Sequence, residues 1–206
     1  MPRRRRIESV FLNIPYDKGF EELYLAYIVG LTQLGLRVNA TIAVPNQGRL
    51  ETIIGLIGES NFSIHDLSRI QPSKGIPRFN MPVELGLALY HSHVTKGMHR
   101  VYVFESKPYR AQRSTSDING IDPQIHNGTA KGVMAGLRNI FRQPGDVTTV
   151  PEMLISYRAV REKLPELRLN AGGKSLFEAS VFHDLTLAAL VESQKLIERR
   201  VRMHQR

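Results

Sequence analysis

Apolar positions recur along the chain with two different periods, and the periods alternate. Ser9 to Ile14 is a short apolar run of the kind that makes a buried strand. Pro15-Tyr16-Asp17 stops it. Phe20 to Leu34 then carries Leu23, Tyr24, Tyr27, Ile28, Leu31 and Leu34 at helical spacing, and Gly35 ends that helix. Val38 to Val44 alternates and is rich in β-branched residues, which predicts a second strand. After the turn Pro45-Asn46-Gln47-Gly48, Leu50 to Ser60 carries Ile53, Ile54 and Ile57, a second helix weakened by Gly55 and Gly58. Phe62 to Leu67 is a third strand, Pro82 to about Val94 a third helix, and Arg100 to Phe104 a fourth strand. The loop before the third helix holds the breakers Pro72, Gly75 and Pro77.

Strands that alternate with helices predict βαβ units, and so an α/β fold with a parallel sheet of four to five strands and helices on both faces. Ligands of such sheets bind beyond the carboxyl ends of the strands. Three segments fall there on this reading: Asn13 to Asp17, Asp66 to Met81, and Glu105 to Arg113. Tyr109 to Ile118 admits a helix, and Ala130 to Phe141 has an apolar stripe of Val133, Met134, Leu137, Ile140 and Phe141. Gln143-Pro144-Gly145-Asp146 looks like a boundary. Beyond it, Thr149-Val150-Pro151-Glu152 is a capping box that opens a helix to about Lys163, where Pro165 interrupts. Ser175-Leu176-Phe177-Glu178 is another, opening a long helix to about Arg202. The chain therefore divides into a basic tail over 1–8, an α/β domain over 9–145 and a helical extension over 146–206.

Composition narrows the chemistry. The 206 residues include no cysteine, which removes disulfide frameworks, zinc–thiolate sites and cysteine nucleophiles. No apolar run approaches the roughly 20 residues that a membrane span requires. The expectation is a cytoplasmic protein with no membrane partner. The net charge is +9. Four of those charges are Arg3 to Arg6 and four more are Arg199, Arg200, Arg202 and Arg206, so the chain between them is close to neutral. A nucleic-acid-binding domain usually carries its basic patch on the fold itself, so nucleic acid is not expected as a partner; the basic ends are either simply solvated or make nonspecific contact with an acidic partner. The histidines form no compact ligand pattern, and no metal site is read. There is no Gly-x-Gly-x-x-Gly after the first strand and no P-loop, which argues against dinucleotide-dependent redox chemistry and P-loop hydrolysis.

Two carboxylates stand out, one at the end of the third strand and one at the start of the third helix. Glu84 is either a first-turn acid favoured by the helix dipole, or a carboxylate at the mouth of the sheet. In the second case it can act as a nucleophile or stabilise a sugar cation, and the dipole would keep it ionised for either role. Gly86 in the same helix suggests close approach by a strand or a ligand. Asp66 either caps its loop or holds a ribose hydroxyl or base edge. Its neighbour His65 points the other way in a regular strand, as a packing residue. His126, near a helix start, admits catalytic and structural readings equally. Arg69, Arg78, Arg110 and Arg113 lie in or beside the strand-end loops, where their planar forks suit phosphate. Tyr16, Phe79 and Tyr109 are placed either to stack on a base or to pack.

The order strand, Asp66, loop, Pro82-Val83-Glu84-Leu85-Gly86-Leu87-Ala88, strand resembles the nucleoside 2-deoxyribosyltransferase-like group and its relatives, the TIR domains. Pro77 to Leu87 is more similar still to an uncharacterised bacterial TIR-like nucleotide-binding family. Phe11 to Asp17 and Ser116-Asp117-Ile118-Asn119-Gly120 belong to the same likeness, which covers about residues 9 to 142. The resemblance implies a flavodoxin-like (TIR-like) sheet with the C-terminal helices added to it. It also implies that Glu84 carries the chemistry, attacking or stabilising the anomeric carbon as an N-glycosidic bond breaks, with Asp66 positioning the substrate. Substrate contacts would fall on Asn13, Pro15, Tyr16, Phe79, Asn80, Met81 and Asp117, together with the arginines. No cofactor is implied, since NAD or another nucleotide enters as substrate or ligand. Arg78-Phe79-Asn80-Met81 stands where the transferases carry Asp-x-Gly-Thr, which sets this chain apart from deoxyribosyl transfer. TIR domains also serve as assembly modules, so a non-catalytic nucleotide sensor that self-associates through its C-terminal helices is the alternative.

Overall fold

The computed structural model describes residues 7–44, 48–69, 79–109, 120–143, 147–172 and 175–204. Five strands form one parallel sheet: β1 (Ser9–Asn13), β2 (Arg37–Asn39), β3 (Phe62–Asp66), β4 (Arg100–Glu105) and β5 (Gln124–Ile125). Their spatial order is β2-β1-β3-β4-β5, the flavodoxin-like order. The sheet reverses its direction of growth between β1 and β3, where Asn13 pairs in register with His65.

Successive strand residues face opposite ways, so two cores form. Val10, Leu12, Ile64 and Phe104 point to one face and join the largest cluster. Phe11 and Val103, their neighbours in sequence, point to the other. Helices α2 (Arg49–Glu59) and α3 (Asn80–Val94) cover that second face. Helix α1 (Glu21–Gln33) lies on the first, and every residue from Leu23 to Thr32 is buried. A helix buried all round needs neighbours on every side. The sheet supplies one, and α4 (Ala130–Phe141), α5 (Val150–Asn170) and α6 (Ala179–His204) supply the rest. Gly30 permits the closest approach: a Cβ there would meet Leu137 at 2.7 Å.

The C-terminal helices are thus part of the same core as α1, contributing Met153, Tyr157, Val160, Val181, Phe182 and Leu185. Glu22 of α1 accepts hydrogen bonds from Tyr157 and Arg161, and Arg168 pairs with Glu21 at 3.0 Å. The capping box of α5 is present as expected. Arg200 grips Glu152 of that box through Nε at 2.9 Å and Nη2 at 2.7 Å, which ties the end of α6 to the start of α5.

Four boundary expectations are corrected. Pro165 does not interrupt α5, which runs on to Asn170. Leu164 and Leu167 pack on the core on either side of it and Arg168 anchors the last turn, so tertiary contacts outweigh the lost backbone hydrogen bond. The strand expected over Val38 to Val44 ends at Asn39. Thr41–Ala43 instead makes a 3-10 turn beside α6, because β2 is an edge strand with no partner on its outer side among the described residues. The third helix starts at Asn80 rather than Pro82. The last helix begins at Ala179, although Glu178 does accept the Ser175 N–H as its capping box predicts. The two-residue β5 has no strand signature of its own. The helix admitted over Tyr109 to Ile118 falls mostly outside the described residues.

Candidate functional site at the carboxyl ends of the first three strands

The earlier start of α3 changes the argument about Glu84. It is the fifth residue of the helix, and the first turn contains no acid. The dipole acts mainly within that first turn, so it does not govern this carboxyl. Burial does. Glu84 is 5% exposed, and burial pushes its pKa from 4.5 up to about 7 while the Arg49 charge pulls it back. Arg49 Nη2 stands 3.9 Å from Glu84 Oε1.

Tyr16 completes the group. Burial pushes its phenol up to about 12, the Thr41 hydroxyl pulls it down, and the Glu84 charge pushes it up again. Its oxygen accepts from Thr41 Oγ1 at 3.4 Å, and its ring packs on Phe177 with centroids 5.6 Å apart. Tyr16 follows β1, Arg49 opens the helix after β2, and Glu84 lies in the helix after β3. Three strand-end segments therefore meet at one buried carboxyl, at the switch point where open α/β sheets bind ligands.

Asn13 braces this corner from within. It is 3% exposed, its Nδ2 lies 2.9 Å from His65 Nδ1, and the same nitrogen donates to the Met81 carbonyl at 3.4 Å. It thereby links β1, β3 and the start of α3. Burial pushes His65 down to about 3, so the ring is neutral, and its edge packs on Phe11.

Asp66 faces the other way, to the α1 side, and does not meet Glu84. It is wholly buried. Its Oδ2 accepts from the Tyr27 hydroxyl at 2.7 Å and lies 3.2 Å from His126 Nε2, while its Oδ1 accepts from the Ser68 N–H at 2.9 Å. Burial alone would raise its pKa, but these hydrogen bonds outweigh it and hold the group below the usual carboxylate value. The His126 tautomer follows from its other nitrogen: Nδ1 accepts the Gly128 N–H at 3.0 Å, which leaves the proton on Nε2, facing Asp66. Helix α4 is pressed onto the His126 backbone, and a Cβ at Gly132 would lie 2.0 Å from the His126 carbonyl oxygen. The expectation of two carboxylates approaching across a loop is therefore corrected. Asp66 ties β3, α1 and the start of α4 together, and Glu84 alone belongs to the mouth of the sheet.

The other candidates separate clearly. Pro15 is buried after β1 and shapes the turn into Tyr16. Met81 is buried at 8%, whereas Asn80 and Phe79 are exposed on the rim, Phe79 at 67%. Arg69 is exposed and turns back to Asp17 and the Gly19 carbonyl, at 4.0 and 3.5 Å. Arg78, Arg110, Arg113 and Asp117 lie outside the described residues. Gly86 is exposed, and among the described residues nothing lies within 4 Å of where a Cβ would stand, so no described strand explains it. Sequence reasoning missed Arg49 because it carried β2 on to Val44 and left the loop after that strand out of the mouth. It missed Tyr27 as an Asp66 partner, although a tyrosine in the apolar run Leu23 to Leu31 needs something for its hydroxyl.

Among the described residues, no group of three or more His, Asp or Glu could hold a metal ion. No helix among them is long and apolar enough to cross a membrane. Comparison with protein-family models and with curated protein sequences finds no match.

Proposed function

We propose that the chain binds a nucleotide at the carboxyl ends of β1, β2 and β3 and cleaves its N-glycosidic bond through Glu84, with NAD the foremost substrate. The observation that carries this reading is the Glu84 carboxyl, buried where three strand-end segments meet and 3.9 Å from a guanidinium. A pKa near 7 leaves a large carboxylate fraction at neutral pH. That carboxylate attacks, or faces, the anomeric carbon as the carbon–nitrogen bond breaks, and the bond's electron pair leaves with the base. Nicotinamide suits such a site because its ring nitrogen is cationic in the substrate, so it leaves neutral without a proton donor. Water then takes the sugar, releasing Glu84 and one proton. Arg49, largely exposed, offers its fork to a phosphate. Incubation with NAD should release nicotinamide, and Glu84→Gln should stop the release. Equal turnover by that variant removes Glu84 from the mechanism.

A second reading, a nucleotide-responsive module that assembles without turnover, draws on α6. Its inner face is buried, yet Leu187, Leu190, Val191, Ile197 and Val201 are each about half exposed at helical spacing. Sedimentation of the full chain with and without nucleotide tests it. A larger species that reverts to monomer in Leu190→Lys/Ile197→Lys supports assembly, and a monomer throughout argues against it.

A further inference from the structure

A wide cleft lies away from the Glu84 corner. That cleft, of about 1050 Å³, opens at the amino ends of the strands, at the opposite end of the sheet. We infer that it is a binding site for single-stranded nucleic acid. This inference uses no part of the reading of Glu84.

Lys96, Arg100 and Arg142 line the cleft, against one acid, Glu8. None of these four takes part in an ion pair among the described residues. The near-neutral middle of the chain is thus neutral on average only, and three cations without acidic partners gather on one concave surface.

Phe62, Tyr102 and Phe141 of the cleft lining form one aromatic cluster, with Phe141 set edge-on to Phe62 and Tyr102 at centroid distances of 5.1 and 5.4 Å. Tyr102 and Phe141 are only partly buried. Ring surface beside cations matches a strand in which bases alternate with phosphates.

Lys96 has φ +52° immediately before Gly97 at +77°. Glycine or asparagine takes that left-handed conformation far more readily than lysine. The end of α3 therefore keeps a cation on the rim against its local preference.

Fluorescence anisotropy of labelled twelve-residue oligothymidylate and oligouridylate with the full chain at low salt tests the inference. Binding is expected, weakening as salt rises. Lys96→Ala/Arg100→Ala/Arg142→Ala, with an unchanged melting temperature and circular dichroism, should bind at least tenfold more weakly. Its slope of log affinity against log salt should fall by about two, three lost contacts at roughly 0.7 each. Lys96→Gly, which relaxes the backbone, should melt higher and yet bind more weakly. An abasic strand of equal length and charge should bind several-fold more weakly than the oligothymidylate. The inference is overturned if the triple variant binds like the parent while Arg3–Arg6→Ala abolishes binding, since the tail alone would then be responsible. Equal affinity for the abasic strand, or for anionic lipid vesicles, overturns it as well.

Discussion

Arg49 Nη2 lies 3.9 Å from Glu84 Oε1 and joins the first residue of α2 to the fifth of α3. The pair is unequal, because Glu84 is buried and Arg49 largely exposed. Burial therefore dominates the carboxyl and the guanidinium only moderates it. In the folded chain the pKa is about 7, against an ordinary 4.5, so the folded state holds this proton more tightly than the unfolded state. The associated stability is fully present below about pH 4.5 and is lost as pH rises through 7. By linkage the loss is on the order of 3 kcal/mol. Glu84→Gln should thus gain stability relative to the parent at pH 8 and little at pH 4.5, as read by urea denaturation. A difference that does not change with pH would contradict the burial account.

Arg49 should be visible through the same titration. Arg49→Gln removes the charge that pulls Glu84 back toward its ordinary value. The midpoint of the pH-dependent stability difference should move upward, and the rising limb of any pH–rate profile should move with it. An unchanged or lowered midpoint would mean that the two groups are not coupled in solution.

Asp66 has the opposite sign. Its hydrogen bonds hold its pKa low, so the stability it confers is present above the ordinary carboxylate range and is lost as pH falls through the lowered folded value. Asp66→Asn leaves Tyr27, His126 and the Ser68 N–H competing for a poorer acceptor in a fully buried position. We expect a loss of about 3 kcal/mol at pH 7, and about 1–2 kcal/mol for Tyr27→Phe. Thermal denaturation reads both. A stable Asp66→Asn protein that has lost nucleotide affinity would restore the positioning role that the sequence suggested.

Gly86 separates a structural from a ligand-related role. Nothing lies within 4 Å of its absent Cβ, so alanine fits without a clash in the described residues. Gly86→Ala should raise stability by roughly 0.5–1 kcal/mol through helix propensity alone. Loss of nucleotide affinity in a stabilised variant would show that a ligand approaches the helix at this point.

The α/β alternation, the parallel sheet and the capping box of α5 were legible because each rests on local periodicity or on one short motif. What escaped depended on contacts far apart in sequence. Pro165 reads as a stop until Leu167 and Arg168 are seen held against α1 and its neighbours. Val38 to Val44 reads as a strand until β2 is placed at the sheet edge. Asp66 and Glu84 read as a pair because both flank one loop, but the pleat sends Asp66 to the α1 side. Of the segments expected beyond the carboxyl ends, those after β1 and β3 do border Glu84, whereas Arg49 comes from a loop that the overlong second strand had hidden. The His126 contribution was half visible. Its place near a helix start was legible, but only its bonds to the Gly128 N–H and Asp66 show which way the ring is held.

The central claim is that Glu84 is the chemical group at the switch point. It is tested most directly by incubating the full chain with NAD across pH 5 to 9 and following nicotinamide release. The parent should release nicotinamide with a rate that rises through a midpoint near pH 7, as Glu84 loses its proton. Glu84→Gln, folded and stable, should release none above background. Release by that variant at the parental rate, or a parental rate that does not change across this range, would contradict the claim.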